Sequence, residues 1–489
     1  MAEKRYILAI DEGTTGCLAV LYDTRCGSFV SETKLPLTMY YPKSGWVEQD
    51  GEDIYQKTVE CIRLALGNIS AEEVCAAGIT NQREAVVIWD KSGKPLSRVI
   101  SWQCRRTSGE CNKFIKAGRG ESIKKKTGLV IDAYFTATKL KWLLDNTAGA
   151  RELAAKGGLY AGTIDSYLIY RLTGGASHVT DITNASRTML FNINTCEWDD
   201  ELLELFDIPS NILPKVVECS GNFGEMTAIG THIPVCGIAG DQQAALFGQA
   251  CFAMGDTKCT YGTGAFLLTN IGKRPLISDS PLLTTVAYKH DGQVFYALEG
   301  SVFNAGSTVQ WLRDLGFIEK SEESEACALA VNDTKGAYFV PAFTGLGAPH
   351  WDMDARAAIV GLTRSAGKNE IVRAGLEAIA YRCHEVFELM SKVLGMRIVE
   401  LKADGGAAEN KFLMQFQSDL LSAPIYKAAQ KEATALGVVY MAGLGCGAYE
   451  SVAQIKEKHK VEKIYKPSGK NMESELGGWK AAVSLIKTK

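Results

Sequence analysis

A strand, a Gly-Thr turn and a second strand occur twice in this chain, once in each half. Tyr6 to Ile10 is an apolar run that enters Asp11-Glu12-Gly13-Thr14-Thr15-Gly16 and leaves through Cys17 to Tyr22. Thr257 to Tyr261 enters Gly262-Thr263-Gly264 and leaves through Ala265 to Asn270. Short apolar runs around a Gly/Thr turn read as β-hairpins. A chain of 489 residues exceeds one hydrophobic core. The duplication therefore predicts two similarly built halves, taken as residues 1–250 and 251–489, with a cleft between them where a small-molecule site would form.

The segments between the hairpins alternate. Residues 51–67 carry Ile54, Val59, Ile62 and Leu66 at helical spacing. Val74 to Ile79 reads as a strand that Ala85 to Trp89 resumes, Val235 to Ala239 as another, and Ile398 to Leu401 as one more. Glu370 to Leu394 and Phe412 to Leu421 read as helices. Alternation of this kind predicts an α/β class.

Bulk properties exclude several functions. The net charge of −3 offers no basic field for nucleic acid or anionic lipid. No window holds the roughly 18 apolar residues of a membrane span, and the MAEKRYILAID start lacks a leader's apolar stretch. The expectation is a cytoplasmic protein. Fourteen cysteines without a C-x-x-C pair read as reduced, buried small hydrophobes, with Cys104 set apart by its neighbours Arg105 and Arg106. The run Lys124-Lys125-Lys126 reads as a solvated helix face.

Three glycine-bearing turns carry the chemistry. Glycine lets backbone N–H groups approach an anion, and threonine hydroxyls add donors. An aspartate ending the first strand, Asp11, can hold Mg²⁺ through water. Two such hairpins could clasp a triphosphate from both sides. The third turn, Asp404-Gly405-Gly406-Ala407-Ala408-Glu409-Asn410, precedes a helix whose N-terminus favours negative charge. Each turn alone is also what an ordinary tight turn looks like. Asn81-Gln82-Arg83-Glu84 ends a strand with donors and acceptors suited to a polyol, or forms a surface turn. Trp102 is either core or the wall of a pocket. Asp241, after the Val235 to Ala239 strand, is either a helix cap or a base on a rigid scaffold.

Taken in order, these stretches resemble the FGGY carbohydrate kinases. The resemblance runs from Tyr6 to about Ala448 through AIDEGTTG, GWVEQD, GITNQRE, WQCRRT, TGLVIDAYF, VTDITNASRTMLFNI, GIAGDQQAALFGQ, YGTGAF, WLRD, VPAFTGLGAP, GLTR, DGGAAEN and MQFQSDLL. Tyr134 to Asn146, with Lys139 and Trp142, looks like the family's first signature. The resemblance implies a two-domain actin/hexokinase-like (ribonuclease H-like) ATPase fold with an interdomain cleft. It implies ATP and Mg²⁺, a homo-oligomer, and phosphorylation of glycerol to sn-glycerol 3-phosphate.

Residue by residue, it implies that Arg83, Glu84, Tyr134 and Asp241 bond the hydroxyls with Gln242 adjacent, and that Trp102 and Phe266 pack on the carbons. Asp241 would be the general base, and Asp11 and Asp241 would hold the hydrated Mg²⁺. Thr14, Thr15, Gly16 and Thr263 would bind phosphates; Gly306, Gln310, Gly406 and Asn410 would contact the nucleotide. Three positions depart from the family pattern. Leu18 stands where an Arg or Lys is usual near the phosphates, Ala133 where Pro is usual and Ala137 where Gly is common. Leu18 either leaves a vacancy or is compensated by a cation from elsewhere. Two other readings remain: a kinase for a different small polyol, which should change the Arg83, Glu84, Trp102 and Tyr134 group, and a nucleotide-binding module without catalysis, which would not need a polyol pocket.

Overall fold

Both hairpins form. In the computed structural model, which describes residues 4–352 and 354–488, Tyr6–Glu12 pairs antiparallel with Gly16–Asp23, and Thr257–Tyr261 with Ala265–Gly272. Each hairpin nucleates a sheet of one design. In the first sheet, the antiparallel strand Ser28–Pro36 flanks the hairpin on one side. The parallel strands Val74–Asn81 and Val235–Gly240 follow on the other. In the second, Gln293–Val302 flanks antiparallel, and Leu401–Asp404 and Ile425–Ala428 follow in parallel. Leu283–His290 and Val461–Tyr465 extend this second sheet to seven strands.

Side-chain alternation explains why the first sheet is covered on both faces. Ile7 and Ala9 point to one core, and Leu8 and Ile10 to another, as the period of two in a strand requires. The Leu8 face meets Ile54, Val59 and Ile62 of helix Gly51–Leu66. That helix starts at Asp50, whose carboxylate accepts from the Glu52 and Asp53 N–H groups. The Ile7 face meets helix Ala433–Gly445, contributed from the far end of the chain. This helix also lies against helix Asp241–Gly248, and the approach is so close that a Cβ on Gly437 would sit 1.9 Å from the Ala244 carbonyl oxygen. Only glycine fits there.

The strands Val74–Asn81 and Val86–Asp90 do not form one continuous strand, contrary to the sequence expectation. Val74–Asn81 belongs to the first sheet, whereas Val86–Asp90 joins a separate five-stranded sheet with Leu159–Thr163 and Val99–Ile100. The break falls at Glu84, whose φ of 62° is left-handed. Such a backbone is costly for a residue with a side chain and clusters at functional positions. The expected strand at Ile398 to Leu401 is also displaced: the ladder begins at Leu401 and runs to Asp404. The lysine run lies on helix Gly120–Thr127, exposed at Lys125 as expected and half-buried at Lys124 and Lys126. Lys124 donates to the Ser280 carbonyl, Lys125 pairs with Glu121, and Lys126 bridges Asp199 and Glu201. All fourteen cysteines are free thiols. Arg106 Nε reaches Cys104 Sγ at 3.1 Å, but that thiol is fully buried. Among the described residues no helix is long and apolar enough to cross a membrane.

Candidate functional site

The register of the first sheet gathers its polar strand ends at one edge. Asp11 lies opposite Thr80, Glu12 opposite Asn81, and Gly240 opposite Asn81. The carboxyl ends of parallel strands are where open α/β sheets place their ligands. Here that edge carries Asp11, the Asn81-to-Glu84 segment and Asp241.

Asp241 is not a helix cap. It is the first residue of helix Asp241–Gly248, Gly240 precedes it, and no side chain caps that end. Its carboxylate is held by the Gln242 N–H at 2.7 Å and by Arg83 Nε at 3.1 Å. The side chain stays 31% exposed while Arg83 is 2% exposed. A partly open carboxylate on a buried cationic base is available to a ligand, which a capping carboxylate is not.

Arg83 is anchored from behind. Its Nη1 donates to Glu299 at 2.6 Å and to Gln243 at 3.1 Å, and its Nη2 to the other Glu299 oxygen at 3.1 Å. Glu299 also accepts from Arg187 Nη2 at 3.0 Å, and Arg187 Nε donates to Glu84 at 2.6 Å. All four charged side chains are buried. Burial raises the Glu84 carboxyl, with Arg83 and Arg187 opposing. Burial acts on Glu299 in the same direction, but its two arginines win and hold it at about 2. Sequence reasoning found Arg83 and Glu84 but missed Arg187 and Glu299. Arg187 stood inside a quoted stretch as an ordinary residue. Glu299 lies in Gln293–Val302 of the second sheet, and only tertiary structure brings it across. A single acid in a largely apolar strand is the signal that could have found it, since a charge buried there demands a partner.

The aromatic members converge on the first hairpin. Trp102 Nε1 donates to Thr14 Oγ1 at 2.9 Å, and the Trp102 and Tyr134 rings meet edge-on at 5.6 Å. Trp102 is therefore tied to the turn and is half-buried, not plain core. Lys139 Nζ donates to the Tyr134 carbonyl at 2.7 Å and fixes that segment. Thr15 stands exposed at the tip and Gly16 is buried at its exit.

Two glutamines and a lysine complete the floor. Gln49 donates to the Thr14 carbonyl at 2.8 Å and accepts from Gln82 at 2.9 Å. Lys258, fully buried in the strand that enters the second hairpin, donates to Gln242 Oε1 at 2.6 Å and Thr260 Oγ1 at 2.8 Å. Burial lowers its ammonium, and Asp404 and Asp241 oppose that.

The remaining residues surround the second hairpin. Thr263 is exposed, its carbonyl accepting from the Ala305 and Ser307 N–H groups. Gly306 begins helix Gly306–Asp314, and a Cβ there would lie 2.7 Å from the Gly262 carbonyl oxygen. Gln310 is exposed one turn later and donates to Asp314 at 3.2 Å. The turn Gly406–Glu409 abuts the strand Thr257–Tyr261, with open space above Gly406. Asn410 caps helix Lys411–Leu421 through Leu413 N–H and donates to Ser324 Oγ at 3.2 Å. Phe266, half-buried, lies opposite Thr260 and Ser301.

Asp11 and Asp241 stand at the same edge of the first sheet, near enough for the Asp241 carboxylate to act on Asp11. Burial pushes the Asp11 carboxyl up to about 8, helped by Asp241 and Glu432 and opposed by Lys34. A dication at Asp11 would relieve the repulsion that Asp241 exerts on it. Among the described residues no group of three or more His, Cys, Asp or Glu side chains is placed to hold a metal.

Comparison with known proteins places this arrangement. Residues 6–248 match the N-terminal domain, and residues 257–446 the C-terminal domain, of the FGGY family of carbohydrate kinases. A glycerol kinase of Treponema denticola is 51% identical over 492 residues, covering 98% of each chain. One of Agathobacter rectalis is 49% identical over 488 residues, again 98% of each. The crystal structure of a Plasmodium falciparum glycerol kinase with ADP superposes with a TM-score of 0.93 at 34% identity, covering 100% of this chain and 99% of that one. A gluconate kinase of Lactobacillus acidophilus shares the fold, with a TM-score of 0.85 at 24% identity and 98% and 96% coverage. The two-domain actin/hexokinase-like ATPase fold is thereby established, and the chain belongs to the FGGY family of carbohydrate kinases.

Proposed function

We propose that this chain is a glycerol kinase, transferring the γ-phosphoryl group of ATP to a primary hydroxyl of glycerol to give sn-glycerol 3-phosphate and ADP. The observation that carries this reading is the closed polar set around Asp241: Arg83 behind it, Glu84 tied to Arg187, and Trp102 against Tyr134. A site this rich in fixed donors and acceptors suits a polyol. The full-length likeness to glycerol kinases supports the same substrate.

In this reading Arg83, Glu84, Tyr134, Asp241 and Gln242 bond the hydroxyls, while Trp102 and Phe266 pack on the carbon chain. Asp241 orients the attacking hydroxyl and accepts its proton as the new bond to phosphorus forms. Its partly exposed carboxylate and its anchorage by Arg83 serve that role. Phosphoryl transfer rests on positioning and charge neutralisation, so the base needs no strongly raised pKa. Thr14, Thr15, Gly16 and Thr263 present hydroxyls and backbone donors to the phosphates. Gly306, Gln310, Gly406 and Asn410 line the nucleoside side; the Asn410 amide accepts in the cap through its oxygen and donates one N–H to Ser324, which leaves its second N–H. Asp11 and Asp241 are the residues that would hold Mg²⁺, which neutralises phosphate charge when bound.

The catalytic unit divides near residue 250 into a polyol-binding half and a nucleotide-binding half around a cleft. The family resemblance extends to a homo-oligomer in the cytoplasm. The test is turnover of ATP with a panel of polyols, with the product identified by mass and by position of the phosphate.

A further inference from the structure

Leu18 is 4% exposed and packs in the core beneath helix Ala433–Gly445. No charge is present at that position of the first hairpin. Its cross-strand partner, however, is Lys34 of the edge strand Ser28–Pro36. Residues directly opposite on antiparallel strands share a face, so Lys34 emerges on the face of Gly16 and Leu18.

The course of the Lys34 side chain is set by glycine. A Cβ placed on Gly16 would lie 3.7 Å from Lys34 Cε and 2.9 Å from the Leu35 carbonyl oxygen. The missing side chain lets the edge strand close on the turn and gives the lysine stem a lane across Gly16. The ammonium lies near enough to the turn to interact with the Asp11 carboxylate, and with Glu432. Among the described residues Lys34 makes no ion pair, and it is exposed. Its charge is therefore held in no ion pair, on a flexible stem, beside Gly16.

We propose that Lys34 is the phosphate-binding cation of the first hairpin, supplied from the neighbouring strand in place of the residue at position 18. The ligand class is the polyphosphate of a nucleoside di- or triphosphate. This rests on the reading of the hairpin as a phosphate site, and it requires no particular polyol. An ammonium suits the task, being a compact point charge with three donors and a long reach.

The experiment is calorimetric binding of ATP, ADP and adenosine to the whole chain without any polyol, at low and high salt. Lys34→Gln should weaken ATP and ADP about tenfold, the scale of one charge-assisted hydrogen bond, and leave adenosine unchanged. Lys34→Arg should stay within about threefold of the parent. The parent's ATP affinity should fall more steeply with salt than that of Lys34→Gln. Equal ATP affinity in the parent and Lys34→Gln would overturn the proposal, as would an equal loss for adenosine. Because no polyol enters the measurement, a chain that fails to phosphorylate glycerol yet shows the Lys34 dependence loses only the substrate assignment. One that phosphorylates glycerol with unaltered nucleotide binding in Lys34→Gln loses only this inference.

Discussion

Arg83 meets Glu299 through both terminal nitrogens, at 2.6 and 3.1 Å, across 216 residues of sequence. The pair joins the polyol edge of the first sheet to a strand of the second, and it fixes the guanidinium whose Nε holds Asp241. Removing one partner of a buried pair strands the other charge, at a cost of about 3–5 kcal/mol. Glu299→Gln should lower stability by that order and raise the glycerol KM more than it lowers kcat. The pH dependence has a defined sign. Glu299 is held at about 2, below its ordinary 4.5. Its contribution is fully present above the ordinary value and is lost as pH falls through about 2. Denaturation from pH 7 to 2 should show parent and Glu299→Gln converging at the acid end. Parallel curves would contradict the charge network.

Helix Ala433–Gly445 reaches the first sheet only because Gly437 lacks a side chain. A Cβ at 1.9 Å from the Ala244 oxygen must push the helix off helix Asp241–Gly248, whose first residue is Asp241. Gly437→Ala should cost about 3 kcal/mol or more, the upper range for overpacking. Scanning calorimetry should show a lowered midpoint. An unchanged midpoint would mean that the two helices have slack.

Asp241→Asn keeps the shape and an acceptor for Arg83 while removing the base. General base catalysis is worth about 10²–10⁴-fold. The expected result is a kcat loss in or above that range with glycerol binding, followed by calorimetry, largely retained. Near-normal turnover would leave Asp241 with a positioning role only.

Much of this was legible in the sequence because local chemistry and tertiary role coincide there. The Gly-Thr turns at 13–16 and 262–264 are signals of a few residues, and both hairpins formed with the expected strands. Helices 51–66 and 368–394 followed from apolar spacing. Arg83 and Glu84 were readable as four polar residues ending a buried strand. What was not legible depends on distant pairing. Nothing local to Val86 says that its strand leaves the sheet of Val74–Asn81; the left-handed turn at Glu84 decides it. Arg187 and Glu299 acquire meaning only once the halves pack. Lys34 carried no signal in the sequence; only the register sets it opposite Leu18.

The central claim is that the polar set around Asp241 is built for glycerol. Its most direct test is kcat/KM for glycerol, 1,2- and 1,3-propanediol, xylulose, ribulose and gluconate at saturating ATP and Mg²⁺. Sites that hydrogen-bond a hydroxyl reject analogues lacking it by up to about 10⁴-fold. Glycerol should exceed the propanediols by an amount approaching that figure and exceed both pentuloses and gluconate, with phosphate on a terminal carbon of the product. Comparable turnover of a pentulose, or of a propanediol, would contradict the account.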